Sequence, residues 1–481
     1  MALHSNATDA IGYALQEEAD YVDVRIDNIF ENYLGLRNSK LCNVNTQLQE
    51  CIGIRVLFNG FWGFASSSSL ETNAIKNAVN SAIKSAKKIA KVFPERKSNL
   101  ADITVRKTSV SDRCEKQPQL LNPNERIELV NWLDSRINSR VKDLNIVDIK
   151  LIENHTQKIF LNSNGSEIEQ ILIRASVFLG TSIRGPTNLP RIRTTGFGGV
   201  GGIEQFQTIE FENFITEFIS SLPKIAQAKL IKPREQPVIL NEEMGWNLCH
   251  EFCHAVEADL ILEGRSPLGT QIGSKIGSEQ VTIIDDASFK GYGEYYFDAE
   301  GVKASGTLII EDGILFDFLQ NIETAAKMNA IPTSNGRAES ALHPPQVRQS
   351  NTFFEPGNLT FEEMVENVKD GLYVCDSFGA TADTVLGNFQ LDAQYGHKIE
   401  KGELVDYVTN FALVGNLYSI LGEVDGMSKE IKSYPSYCGK NGQRVSVGAI
   451  SPKVSLKNFG IISNIAQRQI RKVDFSKLRE R

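Results

Sequence analysis

Apolar and polar residues alternate with a period of two in "YVDVRIDNI", from Tyr21, and again in "CIGIRVLFNGFWGFAS", from Cys51. That is the pattern of strands that bury one face. Inside the second stretch, Asn59-Gly60 has the composition of a two-residue hairpin turn. The period then lengthens. In "NAIKNAVNSAIKSAKKIAKVF" the residues Ile75, Val79, Ile83, Ala86 and Ile89 recur at helical spacing, predicting a helix with one face on a sheet. A second helix is expected in "NERIELVNWLDSRINSRV", followed by strands such as "IFLNSNGSEIEQILIRASVFLG". Glycine and proline interrupt the pattern in "RGPTNLPRIRTTGFGGVGGIEQ", which reads as a loop. The Pro-flanked "LIKPREQPVIL" marks a boundary near residue 228. Beyond it strands dominate, with helices expected at 242–263 and near 361–371. The fold class is therefore α+β in two domains: an N-terminal α+β domain over 1–228 with a mixed or antiparallel sheet, and a β-rich domain over 229–481.

Length agrees with that division, because 481 residues exceed one ordinary core. Hydrophobic content of 41% and charged content of 23% are those of a globular protein. A formal net charge of −8 argues against a general nucleic-acid binder. The lysines of the first long helix (76, 84, 87, 88 and 91) then read as a solvated face rather than a basic patch. No basic n-region precedes an apolar run at the N-terminus, and no window approaches the roughly 18 apolar residues of a membrane span. Seven cysteines, an odd number scattered along the chain, suit a reducing compartment, so a cytoplasmic protein is expected.

Gly196, Gly198 and Gly201 spell G-x-G-x-x-G, but neither an apolar strand before them nor a helix after them completes a dinucleotide fingerprint. The loop around Gly198 reads instead as a flexible border to a cleft. The chemistry concentrates in "NLCHEFCHAVEADLILEG", Asn247 to Gly264. Val238-Ile239-Leu240 reads as a short strand, Asn241 as a helix N-cap, and Met244, Leu248 and Phe252 as a buried stripe. On this helix His250 and His254 share a face one turn apart, so both imidazoles can reach one ion. Glu251 stands beside them as a candidate general base, the arrangement of H-E-x-x-H zinc peptidases. Cys249, His250, Cys253 and His254 cannot close a tetrahedron by themselves, since consecutive helix positions point about 100° apart. A third ligand must come from elsewhere. Cys438, ahead of the glycine-rich turn in "SYCGKNGQRVSVGAISP", is the best distant candidate.

These segments together resemble the TldD/PmbA family of metallopeptidases nearly end to end. The resemblance rests on "YVDVRI", "GIRVLFNGFWGFASSSSLE" and "FLNSNGSE" in the first half. In the second half it rests on "HAVEADLILEG", "YFDAEGVKASGTLIIEDGILFDFL", "TSNGRAES", "VRQSNTFFEPG", "GNFQLDAQYGHKIEKGEL" and "CGKNGQRVSVG". It implies that Cys438 is the third ligand of one zinc ion per chain, beside His250 and His254. It also implies hydrolysis of extended or unfolded peptides, and a dimer enclosing a cavity, either of one chain or with a metal-free PmbA/TldE-like subunit. No membrane or nucleic-acid partner is expected.

The chain departs from the family at the motif itself. The family pattern is H-E-x-x-x-H followed by x-x-E-x-D, and only two residues separate Glu251 from His254. Either one residue is deleted and His250, Glu251 and His254 keep their roles, or the alignment is ungapped. In the ungapped case Cys249 is the alternative ligand and His250 takes the place of the glutamate. Geometry favours the deletion, because an i, i+5 pair lies about 140° apart on a regular helix and an i, i+4 pair converges without a bulge. A third outcome is an inactive peptide-binding subunit. Glu257, in the tail of the motif, is expected to orient an imidazole. Arg337 and Asn335, in "TSNGRAES", and Gly198 are expected to line the substrate site.

Overall fold

The computed structural model describes residues 2–95, 97–185 and 190–463. Part of the expected Gly/Pro-rich loop (186–189) and the last part of the C-terminal domain (464–481) lie outside that range. The early alternation becomes long strands. β1 (Tyr21–Arg37), β2 (Lys40–Phe58), β3 (Phe61–Ser67), β4 (Lys107–Ser111), β5 (Leu144–Asn162), β6 (Glu167–Arg184) and β7 (Pro190–Val200) form one sheet. Its order is β3-β2-β1-β5-β6-β4, with β7 also on β6. Only β4 and β6 run parallel, so the sheet is mixed. Asn59 and Gly60 both take positive φ (52° and 83°), which joins β2 to β3 by the turn their composition predicts.

Helices α1 (Ala2–Gln16) and α2 (Thr72–Val92) cover one part of this sheet. Ala7, Ala10, Ala14, Ile75, Val79 and Ile83 pack on Val22, Val24, Ile52 and Ile54. The five lysines of α2 face outward, as a solvated face should. Helices α3 (Pro123–Arg140) and α4 (Ile209–Ala226) close the other part, setting Val130, Leu133, Ile137, Phe211 and Phe218 against Val147, Ile149, Ala175 and Val177. Each aliphatic or aromatic side chain buried in this way contributes roughly 1.5–3 kcal/mol.

Two expectations are corrected. The glycine run read as a loop is strand: Gly196, Gly198 and Gly199 lie in β7 and pair with β6. At Gly198 (φ 154°) an added Cβ would stand 2.2 Å from the Ala175 carbonyl, so glycine there permits two strands to approach. The single helix expected over 242–263 is broken. Helix α5 (Glu242–Cys253) gives way to a 3₁₀ turn over His254–Val256, an extended Glu257 (ψ 118°) and a short helix Ala258–Leu262. Tertiary pairing overrides the helical pattern: Leu319 N donates to Val256 O and Ala258 N to Leu319 O, so the chain at Glu257 runs as a strand beside Leu319.

The second sheet has twelve strands. Its longest, Gln443–Ser463, pairs antiparallel with Val424–Lys440, Arg234–Leu240 and Phe411–Asn416, and parallel with Asn351–Phe354. α5 follows Arg234–Leu240 and buries Met244, Leu248, Cys249, Phe252 and Cys253 in a core with Leu240, Phe354, Leu372 and Val454. Buried arginines tie the two halves together. Arg55 bonds Asp23 (2.6 Å) and Glu300 (2.6 Å), Arg174 donates to Tyr292 O, and Arg193 bonds Asp376. Between the halves lies a cleft of about 2430 Å³, walled by Asp27, Lys158 and Gln170 on one side and Trp246, Arg337 and Tyr437 on the other.

Candidate metal centre

Asn241 caps α5 by accepting from Met244 N at 3.0 Å, and its amide donates to Asp376 at 2.9 Å, so the start of the helix is fixed to a neighbouring strand. At 3.6 residues per turn, Trp246, His250 and His254 then fall on one face and Cys249 and Cys253 on the next. The Trp246 ring lies 4.9 Å from His250, and the His250 ring 4.8 Å from His254 at 79°. Cys438 meets them from the opposite side. It is carried by the hairpin of Val424–Lys440 with Gln443–Ser463, whose turn is Asn441-Gly442 with φ of 50° and 77°. Its Sγ is 3.6 Å from His254 Nε2. One nitrogen from each histidine and the sulfur all lie within 4.8 Å of one another.

The neighbours fix this geometry. Glu257 Oε2 is 3.1 Å from His254 Nδ1, leaving Nε2 directed at the sulfur. The Lys440 ammonium donates to Glu257 (2.9 Å), to Asp259 (2.8 Å) and to Val347 O (2.9 Å). It thereby clamps the strand that carries Cys438 to the segment that follows His254. Arg348, fully buried, donates to Cys438 O at 2.6 Å, and Gln349 donates to His250 O at 3.0 Å. Glu257, expected to orient an imidazole, lies beside His254. Lys440 and Arg348 are site-positioning residues that motif spacing does not single out. The signal available for Lys440 is its place two residues after Cys438, on the same face of a strand.

Charge follows from these contacts. Burial alone would raise the Cys438 thiol, but His254 and His250 outweigh it and hold the group well below its ordinary range. Burial opposes protonation of His254, yet Glu257 and Cys438 raise it well above the usual histidine value. Burial would also raise Glu257, but Lys440 and His254 bring it down to about 2. Sulfur is thus favoured as thiolate, the form that ligates.

The donor set fits a zinc ion: two imidazoles and a thiolate, with a carboxylate on the far nitrogen of one imidazole. Among the described residues the buried His250 Nδ1 has no hydrogen-bond partner. Such a cost is expected where a polar group serves something besides the fold.

The other expected residues separate. Glu251 is half-exposed next to His250, and among the described residues its carboxylate has no hydrogen bond or ion pair. Cys249 is a free thiol fully buried in the core, hydrogen-bonded to Cys253. Arg337 does line the cleft, but its guanidinium donates to the carbonyls of Gln349 and Ser446 and sits over Tyr295. Asn335 is not on the cleft wall: it is buried, donating to Asp285 at 2.7 Å and to Arg348 O. Gly198 is likewise away from that wall, within β7, although Thr194, Thr195 and Gly196 of the same strand reach it. Trp246, which packs on His250, and Gly439, next to Cys438 in the chain, line the cleft, whereas His250, Glu251, His254 and Cys438 lie behind that lining.

Comparison with known proteins bears on the family and the fold. Residues 233–463 match the PmbA/TldA metallopeptidase C-terminal domain, and residues 22–86 match PmbA/TldA metallopeptidase domain 1. A metalloprotease of Methanocaldococcus jannaschii is 34% identical over 90% of this chain and 95% of its own length. A zinc metalloprotease TldD homolog of Saccharolobus solfataricus is 24% identical over 92% of this chain and 96% of its own. The crystal structure of TldE from Thermococcus kodakarensis superimposes with a TM-score of 0.76, at 18% identity, over 96% of this chain and all of that one. Among the described residues no helix is long and apolar enough to cross a membrane.

Proposed function

From the membership of this chain in the PmbA/TldD metallopeptidase family, we propose that it is a cytoplasmic zinc peptidase acting on extended or unfolded peptides. One zinc per chain would be held by His250, His254 and Cys438, and it would work as a homodimer or beside a TldE-like subunit. The observation that carries the reading is the convergence of those three donors within 4.8 Å, from a helix and a strand 184 residues apart. A zinc ion bound there would supply a Lewis acid for the scissile carbonyl and acidify a water at its open position.

The chain's own residues supply the rest. The Glu251 carboxylate takes the proton of the attacking water and returns it to the leaving amine nitrogen, a role open to it because no group among the described residues holds it. Glu257 accepts from His254 Nδ1 and so keeps Nε2 on the ligand side. Trp246 covers His250 and excludes water from that flank. The peptide would lie extended in the cleft, with Arg337 buttressing the wall rather than gripping a carboxylate.

Glu251→Gln tests the assignment: hydrolysis of an unfolded peptide should fall by roughly 10²–10⁴-fold with zinc content unchanged. Undiminished activity would remove Glu251 as the base. A zinc-loaded wild type that binds peptide without cleaving it would make the chain the inactive, peptide-binding subunit that the shortened motif also allows.

A further inference from the structure

Four polar side chains of α5 and the turn after it, Glu243, Asn247, His250 and His254, recur at helical spacing. At 3.6 residues per turn they form one stripe. The histidines converge on Cys438 behind the cleft lining, whereas Glu243 and Asn247 lie in the lining itself. The fold does not use up the polar groups of those two. Among the described residues the Glu243 carboxylate has one hydrogen bond, from Ser377 N at 3.3 Å, and no ion pair. Asn247 is 6% exposed. Its amide nitrogen donates to Glu243 O at 2.7 Å, and its side-chain oxygen has no partner among the described residues. The cations nearby are already taken: Arg193 bonds Asp376 and donates to Phe218 O, Lys453 bonds Glu242, and Lys432 bonds Glu217. Burial first, and the charge of Asp376 second, raise the Glu243 carboxyl well above the ordinary carboxylate range. That is the state of an acid whose counter-charge is missing. Such a group costs stability, and on the wall of a cleft it is poised for a ligand.

We propose that Glu243 and Asn247 bind a cationic group of the peptide, an ammonium or a guanidinium, about three residues from the bond that is cut. A cation of this kind needs acceptors and a negative charge, and the pair offers a carboxylate and a carboxamide oxygen one helical turn apart. Trp246 and Tyr434 bring aromatic rings to the same stretch of wall, a surface that favours a desolvated cation. The helix sets the position of the subsite. From Glu243 to His250 it advances about 10 Å along its axis, and an extended peptide covers that distance in about three residues. A free N-terminal amine and a lysine or arginine side chain both carry this chemistry. The site rests on the peptide-binding reading of the cleft and adds a charge preference to it.

The test is fluorescence anisotropy of unfolded peptides of one length, labelled at the C-terminus, with the full-length protein. Binding is read directly, so cleavage is not required. One peptide is neutral, N-acetylated with norleucine at a central position. The second carries lysine in place of norleucine, and the third keeps norleucine but has a free N-terminal amine. Wild type should bind at least one charged peptide roughly tenfold or more tighter than the neutral one. Which of the two it prefers assigns the cation to a side chain or to the terminus. In Glu243→Gln the ratio of charged to neutral binding should fall close to one. Asn247→Ala removes the oxygen acceptor and leaves the charge, so the ratio should fall in part; this variant also serves if Glu243→Gln unsettles α5. Zinc per chain is measured on the same samples, so that failure of the metal reading is seen apart from failure of the subsite. Equal binding of all three peptides by wild type, or a preference that survives both substitutions, would overturn the proposal. Failure of zinc-loaded wild type to bind any of them would remove the peptide reading and the subsite with it.

Discussion

Lys440 sits where a small change has a large expected effect. Its ammonium is buried against Glu257 and Asp259, and Glu257 has the His254 imidazole as its other partner. Lys440→Met would leave the Asp259 carboxylate without its counter-charge and Glu257 with His254 alone. A loss of about 3–5 kcal/mol in unfolding free energy, read by urea titration, is the order seen when one member of a buried pair is removed. Glu257→Gln is gentler: it keeps a side chain on His254 Nδ1 while removing the charge, and zinc affinity should fall about 10–100-fold, read by competition with a chelator. At this scale the sequence shows types and spacing. His250 and His254 are legible because helix periodicity alone puts them on one face, and the same periodicity turns Cys249 into the core. Lys440 is not legible from spacing, because its partners lie more than 180 residues away. Asn335 misleads for a related reason: a turn-forming "SNG" suggests an exposed loop, whereas its amide is consumed by Asp285 and a buried carbonyl.

Among the elements, α5 is placed by a close contact that no hydropathy pattern encodes. A Cβ on Gly245 would come within 2.7 Å of Ser451 Oγ and 3.1 Å of Pro452 O. Gly245→Ala gains helix propensity but should push α5 away from the strand Gln443–Ser463. The expected result is a loss of roughly 1–3 kcal/mol from overpacking and weaker zinc binding, measured together by denaturation and metal titration. In the strand Asn388–Glu400, His397 is lowered to about 4, by burial first and by Lys224 second. Its unfolded value is near 6.5, so below that pH the unfolded chain binds the extra proton. Its penalty to the folded state therefore grows as pH falls from about 6.5 to about 4, by up to about 3 kcal/mol. His397→Phe should flatten that part of the stability–pH curve, and an unchanged slope would show that another group causes it. The strands and α2 are readable from their periods. The break at Glu257 is not, because it answers to Leu319, far along the chain. The β7 glycines imitate a loop because strands that pack this closely need the residues that loops also use.

For the whole molecule, buried charges link the two halves whose residues wall the cleft. Arg55 joins Asp23, in β1, to Glu300, and all three are buried. Arg55→Met should cost about 3–5 kcal/mol and split a single thermal transition into two as the halves lose their tie. We propose residue 228 as the division between those halves, since α4 ends before it and the strands of the second sheet begin after it. The pattern of strands and helices predicts this two-part α+β organisation, but it does not predict that both parts would wall one cleft. The central claim is that His250, His254 and Cys438 hold zinc. Its most direct test is the metal content of tag-free protein, wild type beside His250→Ala, Cys438→Ala and Cys249→Ala. About one zinc per chain, lost in the first two variants and retained in Cys249→Ala, is the predicted result. Zinc lost in Cys249→Ala but kept in His250→Ala, or no zinc in the wild type after incubation with the metal, would contradict the account.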